Sequence, residues 1–157
     1  VGFVDGEGSF MVNLRSAGDV KSGFQVIATF VITLHEKDIA LLHGIESFFG
    51  VGKVRSYSKH GFVVYSVSAL KDLANVIIPF FEKYPLLTQK RADFLLFKSV
   101  VELMSNKEHL NTQGIQNIMS IKSVLNKGLN ETLRKRFPNI IPSTRPLVET
   151  TEIPDNN

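Results

Sequence analysis

Val1-Gly2-Phe3-Val4-Asp5-Gly6-Glu7-Gly8-Ser9-Phe10 opens the chain and sets two kinds of residue side by side. Val1, Gly2, Phe3 and Val4 are small or apolar and suit a helix that packs closely on another helix. Asp5 and Glu7 follow, separated by Gly6 and closed by Gly8. Glycine tolerates the left-handed turn at a helix end, so the helix is expected to stop at Gly8 in that conformation. A strand pattern starts at Ser9. A carboxylate is thus expected at the foot of a packed helix, where a sheet begins. Gly2 and Gly6 lie four apart and share one face, where the missing side chains permit close helix approach. A glutamate at a helix C-terminus is disfavoured by the macrodipole, which argues for a functional reason behind Glu7.

Outward from this stretch the apolar period changes to two. In 9–16, Phe10, Val12 and Leu14 share one parity, and Ser9, Met11, Asn13 and Arg15 the other. Residues 17–23 read as a hairpin loop carrying Lys21. A long strand is expected over 24–35. Phe24, Val26, Ala28, Phe30, Ile32 and Leu34 face the core; Gln25, Ile27, Thr29, Val31, Thr33 and His35 face away. Residues 36–49 read as a helix through Ile39, Leu42, Ile45 and Phe49, with Thr33 and Glu36 at capping-box spacing and Gly50 as its stop. A second hairpin is expected over 51–59 and 62–68. Lys53, Arg55, Tyr57 and Lys59 are expected on one face of its first strand. Ser66 and Ser68 share a parity in the second, opposite Tyr65 and Val67.

The rest of the chain reads as helices. One is expected over 71–78, with Pro79 starting a short second one. Others are expected over 90–105, 114–126 and 130–136, the last one basic. From Pro138 onward no apolar periodicity remains, so 1–137 is expected as the domain and 138–157 as a linker or tail. Two hairpins flanking a helix give an α+β fold, an antiparallel sheet with helices gathered on one face. The other face stays open, and its residues are polar, basic or aromatic.

A chain of 157 residues suffices for one domain with a real core. No apolar run reaches the length of about 18 residues that a membrane span needs. The absence of cysteine removes disulfides and thiolate metal sites and fits a reducing compartment. Residues 1–136 carry 17 Lys or Arg against 12 Asp or Glu, whereas 137–157 carry 1 against 3. A basic body with an acidic tail permits nucleic-acid binding but does not demand it. The chain starts with Val rather than Met, inside the motif, and we expect an N-terminus that extends further, with any targeting peptide upstream.

The opening stretch resembles the LAGLIDADG motif of homing endonucleases. Gly2, Asp5 and Gly8 match it, Val1 stands for its alanine, Glu7 stands where its second aspartate stands, and its first leucine is missing. Ile32-Thr33-Leu34-His35-Glu36-Lys37-Asp38, Phe80-Phe81-Glu82-Lys83-Tyr84-Pro85-Leu86-Leu87-Thr88-Gln89-Lys90-Arg91 and Asp93-Phe94-Leu95-Leu96-Phe97-Lys98 are similar to segments of fungal mitochondrial members. The resemblance covers essentially the whole chain. It implies an αββαββα domain with a four-stranded antiparallel saddle sheet, and residues 147–157 look like the linker into a second motif helix. The chain is thus expected as the N-terminal half of a two-repeat enzyme, or as a half that pairs with another chain, acting in mitochondria.

The resemblance also implies chemistry. Two motif helices pack side by side, and each brings one carboxylate to a scissile phosphate. Mg²⁺ is the expected metal, with Ca²⁺ as a substitute that does not support cutting. Mg²⁺ takes oxygen ligands and keeps several waters, so one or two carboxylates and a carbonyl suffice. Glu7 is the implied metal ligand and catalytic acid, and the Gly6 carbonyl a further ligand. Asp5 is expected to face the protein, forming the helix interface with Gly2 and Gly6. His35 falls where family members often carry a polar residue near the active-site water, and Lys90, ahead of Lys83 and Lys37, is placed to stabilise phosphate charge. Ser9, Met11, Asn13, Arg15, Lys21, Gln25, Thr29, Thr33, Lys53, Arg55, Tyr57, Lys59, Ser66 and Ser68 form the expected face for double-stranded DNA. Arg suits guanine and Asn or Gln suits adenine in the major groove. The expected function is metal-dependent cutting of a long duplex target; the alternative is a maturase that binds its host intron RNA.

Overall fold

A computed structural model of the chain describes residues 1–149. Helix α1 (Gly2–Glu7) runs directly into strand β1 (Gly8–Ser16), which turns through residues 17–23 into β2 (Phe24–His35). A 3-10 turn (Glu36–Asp38) leads into α2 (Ile39–Phe49), and β3 (Lys53–Tyr57) and β4 (Phe62–Val67) form the second hairpin. The four strands are antiparallel throughout and lie in the order β1-β2-β4-β3, with β2 and β4 at the centre.

The alternation read from the sequence decides which face is buried. Phe10, Val12, Phe24, Val26, Ala28, Phe30 and Ile32 are all nearly sealed from solvent, as are Val63, Tyr65 and Val67 of β4. Against this face lie α3 (Leu70–Asp72), α4 (Ile78–Lys83) and α5 (Lys90–Ser105), with α6 (Thr112–Lys122) and α7 (Glu131–Arg136) after them in the chain. Phe10 sits at the centre, with its ring 5.3–5.5 Å from those of Phe30, Phe81, Phe94 and Phe97. No polar or charged residue is fully buried among the described residues. The Tyr65 hydroxyl donates to the Val51 carbonyl at 2.8 Å, and burial pushes its pKa up to about 12.

Several local expectations need correction. Gly8 is extended (φ −78°, ψ 156°), so it does not end α1 through a left-handed turn. Its role is steric: a Cβ there would lie 2.5 Å from Val4 Cγ1 and 2.9 Å from the Val4 carbonyl oxygen. Thr33 does not cap the next helix, because His35 does so, its Nδ1 accepting the Lys37 N–H at 3.2 Å. Gly50 does take the left-handed stop, at φ 68°. Residues 70–83 form one continuous helical run rather than two helices. Its middle is a π-turn (Leu73–Ile77) in which the Ile78 N–H reaches back five residues to the Leu73 carbonyl. Pro79 lacks an N–H and crowds the carbonyl four residues back; the wider turn just before it relieves both. Helix α6 ends at Lys122 rather than near 126, and Lys59 lies in a 3-10 turn (Ser58–His60), off the strand face it was expected to share.

Candidate active site and nucleic-acid face

Helix α1 presents two sides. Val4 is buried against the domain, whereas Val1, Gly2, Phe3, Gly6 and Glu7 are exposed. A Cβ at Gly2 or Gly6 would meet nothing within 4 Å, so at these two glycines α1 faces no neighbour among the described residues, and Phe3 beside them is exposed. Asp5 turns the other way. Its carboxylate accepts the Leu87 N–H at 3.1 Å, the Thr88 N–H at 3.1 Å and the Thr88 hydroxyl at 2.7 Å, clamping the turn that opens α5. Burial raises its pKa, but the Leu87 amide, the Thr88 hydroxyl and amide and the Lys90 charge outweigh this and hold it below the usual carboxylate value.

The same turn carries Lys90 to the foot of α1. The Lys90 N–H donates to Thr88 Oγ1 at 3.2 Å, and its ammonium donates to the carbonyls of Val4 at 3.2 Å and Gly6 at 3.3 Å. A cation on the last carbonyls of a helix is favoured by both hydrogen bonding and the helix dipole. It also offsets the cost of placing Glu7 at that end. Glu7 is exposed and enters no ion pair among the described residues. The Gly6 carbonyl, expected to face a metal, already accepts from Lys90. No cluster of three or more His, Cys, Asp or Glu that could hold a metal occurs among the described residues. The oxygen donors that this end of α1 offers a metal are therefore the free Glu7 carboxylate and the Gly6 carbonyl, the latter already accepting from the Lys90 ammonium. A hard divalent cation held there would take the rest of its shell from other oxygen ligands and water.

His35 ends β2, three residues beyond Ile32, the partner of Gly8. Because its Nδ1 accepts the Lys37 N–H, Nε2 carries the proton and can donate outward. Lys37 and Lys83 are exposed, and Lys83 lies over the Tyr84 ring at 5.3 Å.

The register resolves the open sheet face into rows. Ser9, Val31, Ser66 and Lys53 are paired across all four strands. Thr33, Val64 and Arg55 form the next row, and His35, Phe62 and Tyr57 the one beyond, with Tyr57 stacked on Phe62 at 5.0 Å. In the other direction come Met11 with Thr29, whose hydroxyl meets that of Ser68 at 3.1 Å, then Asn13 with Ile27, and Arg15 with Gln25. Lys21 is exposed in the first hairpin loop and Lys59 in the second. Ile27, Val31, Phe62 and Val64 also belong to this face, although the expected DNA-binding set omits them. The strict alternation of 62–67 is the signal for the last two. Thr88 escapes sequence reasoning as the partner of Asp5, because contacts 83 residues apart leave no local pattern.

Residues 1–101 match the family model described as LAGLIDADG endonuclease. The chain is 38% identical over 153 residues to a probable intron-encoded endonuclease 3 of Neurospora crassa, covering 97% of this chain and 28% of the relative. It is 41% identical over 149 residues to a probable intron-encoded endonuclease 2 of the same organism, covering 94% of this chain and 33% of that relative. The solved structure of I-SmaMI bound to an uncleaved DNA target in the presence of calcium ions superposes with a TM-score of 0.93 at 42% identity. It covers 98% of this chain and 52% of the I-SmaMI chain. The chain thus spans about a third or less of these curated relatives and about half of that structure.

Proposed function

The chain belongs to the LAGLIDADG endonuclease family, and we propose that it is one half of a site-specific DNA endonuclease that cuts both strands of a long duplex target. The observation that carries this reading is the Lys90 ammonium on the Gly6 carbonyl, one residue before the exposed Glu7, at the end of α1 where β1 begins. Glu7 is the free carboxylate, and Lys90 is the ammonium held at the last carbonyls of α1, where it can meet a charged phosphoryl group. The match to I-SmaMI, solved with DNA and calcium, supports a duplex as the substrate and a divalent metal as the cofactor.

In this reading Glu7 holds the metal, Mg²⁺ in the active enzyme and Ca²⁺ in a binding-competent, non-cutting form. The metal supplies a water of lowered pKa and neutralises phosphate charge. Lys90 adds positive charge on the leaving or non-bridging oxygens. His35 Nε2–H donates to water or backbone at the edge of the site. Lys53, Arg55, Tyr57, Asn13, Arg15 and Gln25 read base edges in the major groove. Lys21 and Lys59, both on hairpin loops, hold phosphates and set register.

One chain supplies one such carboxylate, so double-strand cutting needs a second motif-bearing half. The open side of α1, formed by Gly2, Phe3 and Gly6, is the face proposed to receive it. The intron-encoded fungal relatives support a mitochondrial place of action. Glu7→Gln tests the reading. Target binding in Ca²⁺ should be kept, because affinity comes from phosphate and base contacts elsewhere, and cutting in Mg²⁺ should be lost. Undiminished cutting by this variant would remove Glu7 from the chemistry.

A further inference from the structure

Residues 138–149 have no regular secondary structure, yet they are laid along the domain. Three prolines recur at every fourth position, Pro138, Pro142 and Pro146. Each fixes its own φ and removes a donor, so the segment is stiff and joins neither sheet nor helix. Its path is marked by polar contacts. The Ser143 N–H donates to the Ser120 carbonyl at 3.2 Å, and the Ser120 hydroxyl donates to the Ile141 carbonyl. The Gln89 amide reaches the Val148 carbonyl at 3.5 Å.

Arg145 is the strongest of these ties. Nη1 donates to Asp93 Oδ1 at 2.7 Å and to the Val124 carbonyl at 3.0 Å, and Nη2 donates to the Gln89 carbonyl at 3.2 Å. Asp93 also accepts the Asn126 N–H at 3.4 Å, so a single carboxylate joins the segment to both α5 and the turn after α6. Apolar burial does not hold this end of the segment: Leu147, two residues on, is 97% exposed. Gln89 and Asp93 bracket Lys90 in sequence. The guanidinium therefore fastens the chain's exit path to the same turn that delivers Lys90 to α1.

We propose that Arg145 is a positioning residue that fixes where the chain leaves this half, and so sets the second half in register with the Glu7 and Lys90 site. The inference rests on the two-half nuclease reading, with the second half on the same polypeptide after this one, a placement that the 52% coverage of the I-SmaMI chain supports. A stiff segment anchored at one point delivers the second half to a narrow range of positions, raising its effective concentration beside α1. Without the anchor the second half still binds its own DNA, but the two cuts lose coordination.

The test uses the full-length polypeptide on supercoiled plasmid carrying the target, in Mg²⁺, with nicked and linear products followed in time. Arg145→Met should lower the ratio of linear to nicked product by roughly tenfold, within the scale on which a 1 Å misplacement costs about 10²-fold. Target affinity in Ca²⁺ and base preference should stay as in the unsubstituted protein. Arg145→Lys keeps the charge but lacks the fork that reaches three acceptors, and should fall between the two. Loss of these bonds should lower the melting temperature by a few degrees, and well below both midpoints chymotrypsin should cut after Leu147 faster in Arg145→Met. An unchanged linear-to-nicked ratio in Arg145→Met would overturn the proposal while leaving the nuclease reading intact. An unsubstituted protein that cuts neither strand would remove the nuclease reading and this one with it.

Discussion

The Lys90 ammonium donates to the Gly6 carbonyl at 3.3 Å, so the first residue of α5 closes the last turn of α1. Residues 84 positions apart thereby set a cation on the carbonyl that precedes Glu7. The cation neutralises the negative end of the helix dipole and leaves the carboxylate free.

Replacing Lys90 by Met should slow single-turnover cleavage by roughly 10²–10³-fold, the scale for losing one preorganised charge at a developing oxyanion. Target affinity in Ca²⁺ should change little, since one phosphate contact among many is lost. The measurement is the cleavage rate at saturating protein beside a binding titration. A variant that cut at the normal rate would leave Lys90 as a helix cap only.

The strands and the long helix α5 are legible in the sequence because their side-chain periods are strict: each buried apolar residue of β1 and β2 falls on the expected parity. The site is legible only as separate residues. Glu7 stands out as an acid at the wrong end of a helix, but no local pattern says that Lys90 caps the carbonyl before it, because that contact is made by the fold. Gly8 reads as a conformational residue, whereas its need is space beside Val4. His35 replaces Thr33 as the cap because a ring nitrogen at the strand end reaches the Lys37 amide, whereas Thr33 stays in the ladder opposite Val64. Residues 138–149 are opaque for a different reason: their order comes from polar ties to α5 and α6, which have no period.

Asp5→Asn should destabilise the chain by about 1–3 kcal/mol at neutral pH, because an amide NH2 must replace one acceptor among three converging donors. Asp5 titrates below its unfolded value of 3.8. Its stabilisation is therefore fully present above that pH and is lost as pH falls through the lower folded value. Urea midpoints for the two proteins should differ most above about pH 5 and converge in acid, below both values. A gap that stayed constant through the acid range would contradict the clamp.

Gly8→Ala and Gly6→Ala should behave oppositely. At Gly8 the added methyl collides with Val4, and overpacking of this kind costs about 1–3 kcal/mol. At Gly6 it meets nothing among the described residues, so the stability of this chain alone should hold or rise by up to about 1 kcal/mol from helix propensity. If the open side of α1 receives a second half, Gly6→Ala should nonetheless impair cutting when that half is present. Thermal melts of the chain and cleavage assays of the assembled enzyme separate the two effects. Full cleavage by Gly6→Ala would move the interface elsewhere.

Arg55 and Lys127 separate base reading from backbone attraction. Arg55 is exposed on the open face, in the row with Thr33 and Val64, whereas Lys127 is exposed in the turn after α6. Arg55→Ala should relax preference at one or two base pairs, at a cost of about 1–3 kcal/mol of discrimination for a lost bidentate contact. Lys127→Ala should weaken every sequence alike and reduce the salt slope by about one phosphate contact. The comparison is a cleavage profile over all single-base variants of the target at two salt concentrations. A uniform loss in Arg55→Ala, with base preference untouched, would mean that β3 grips the backbone and that the groove is read by the other strands.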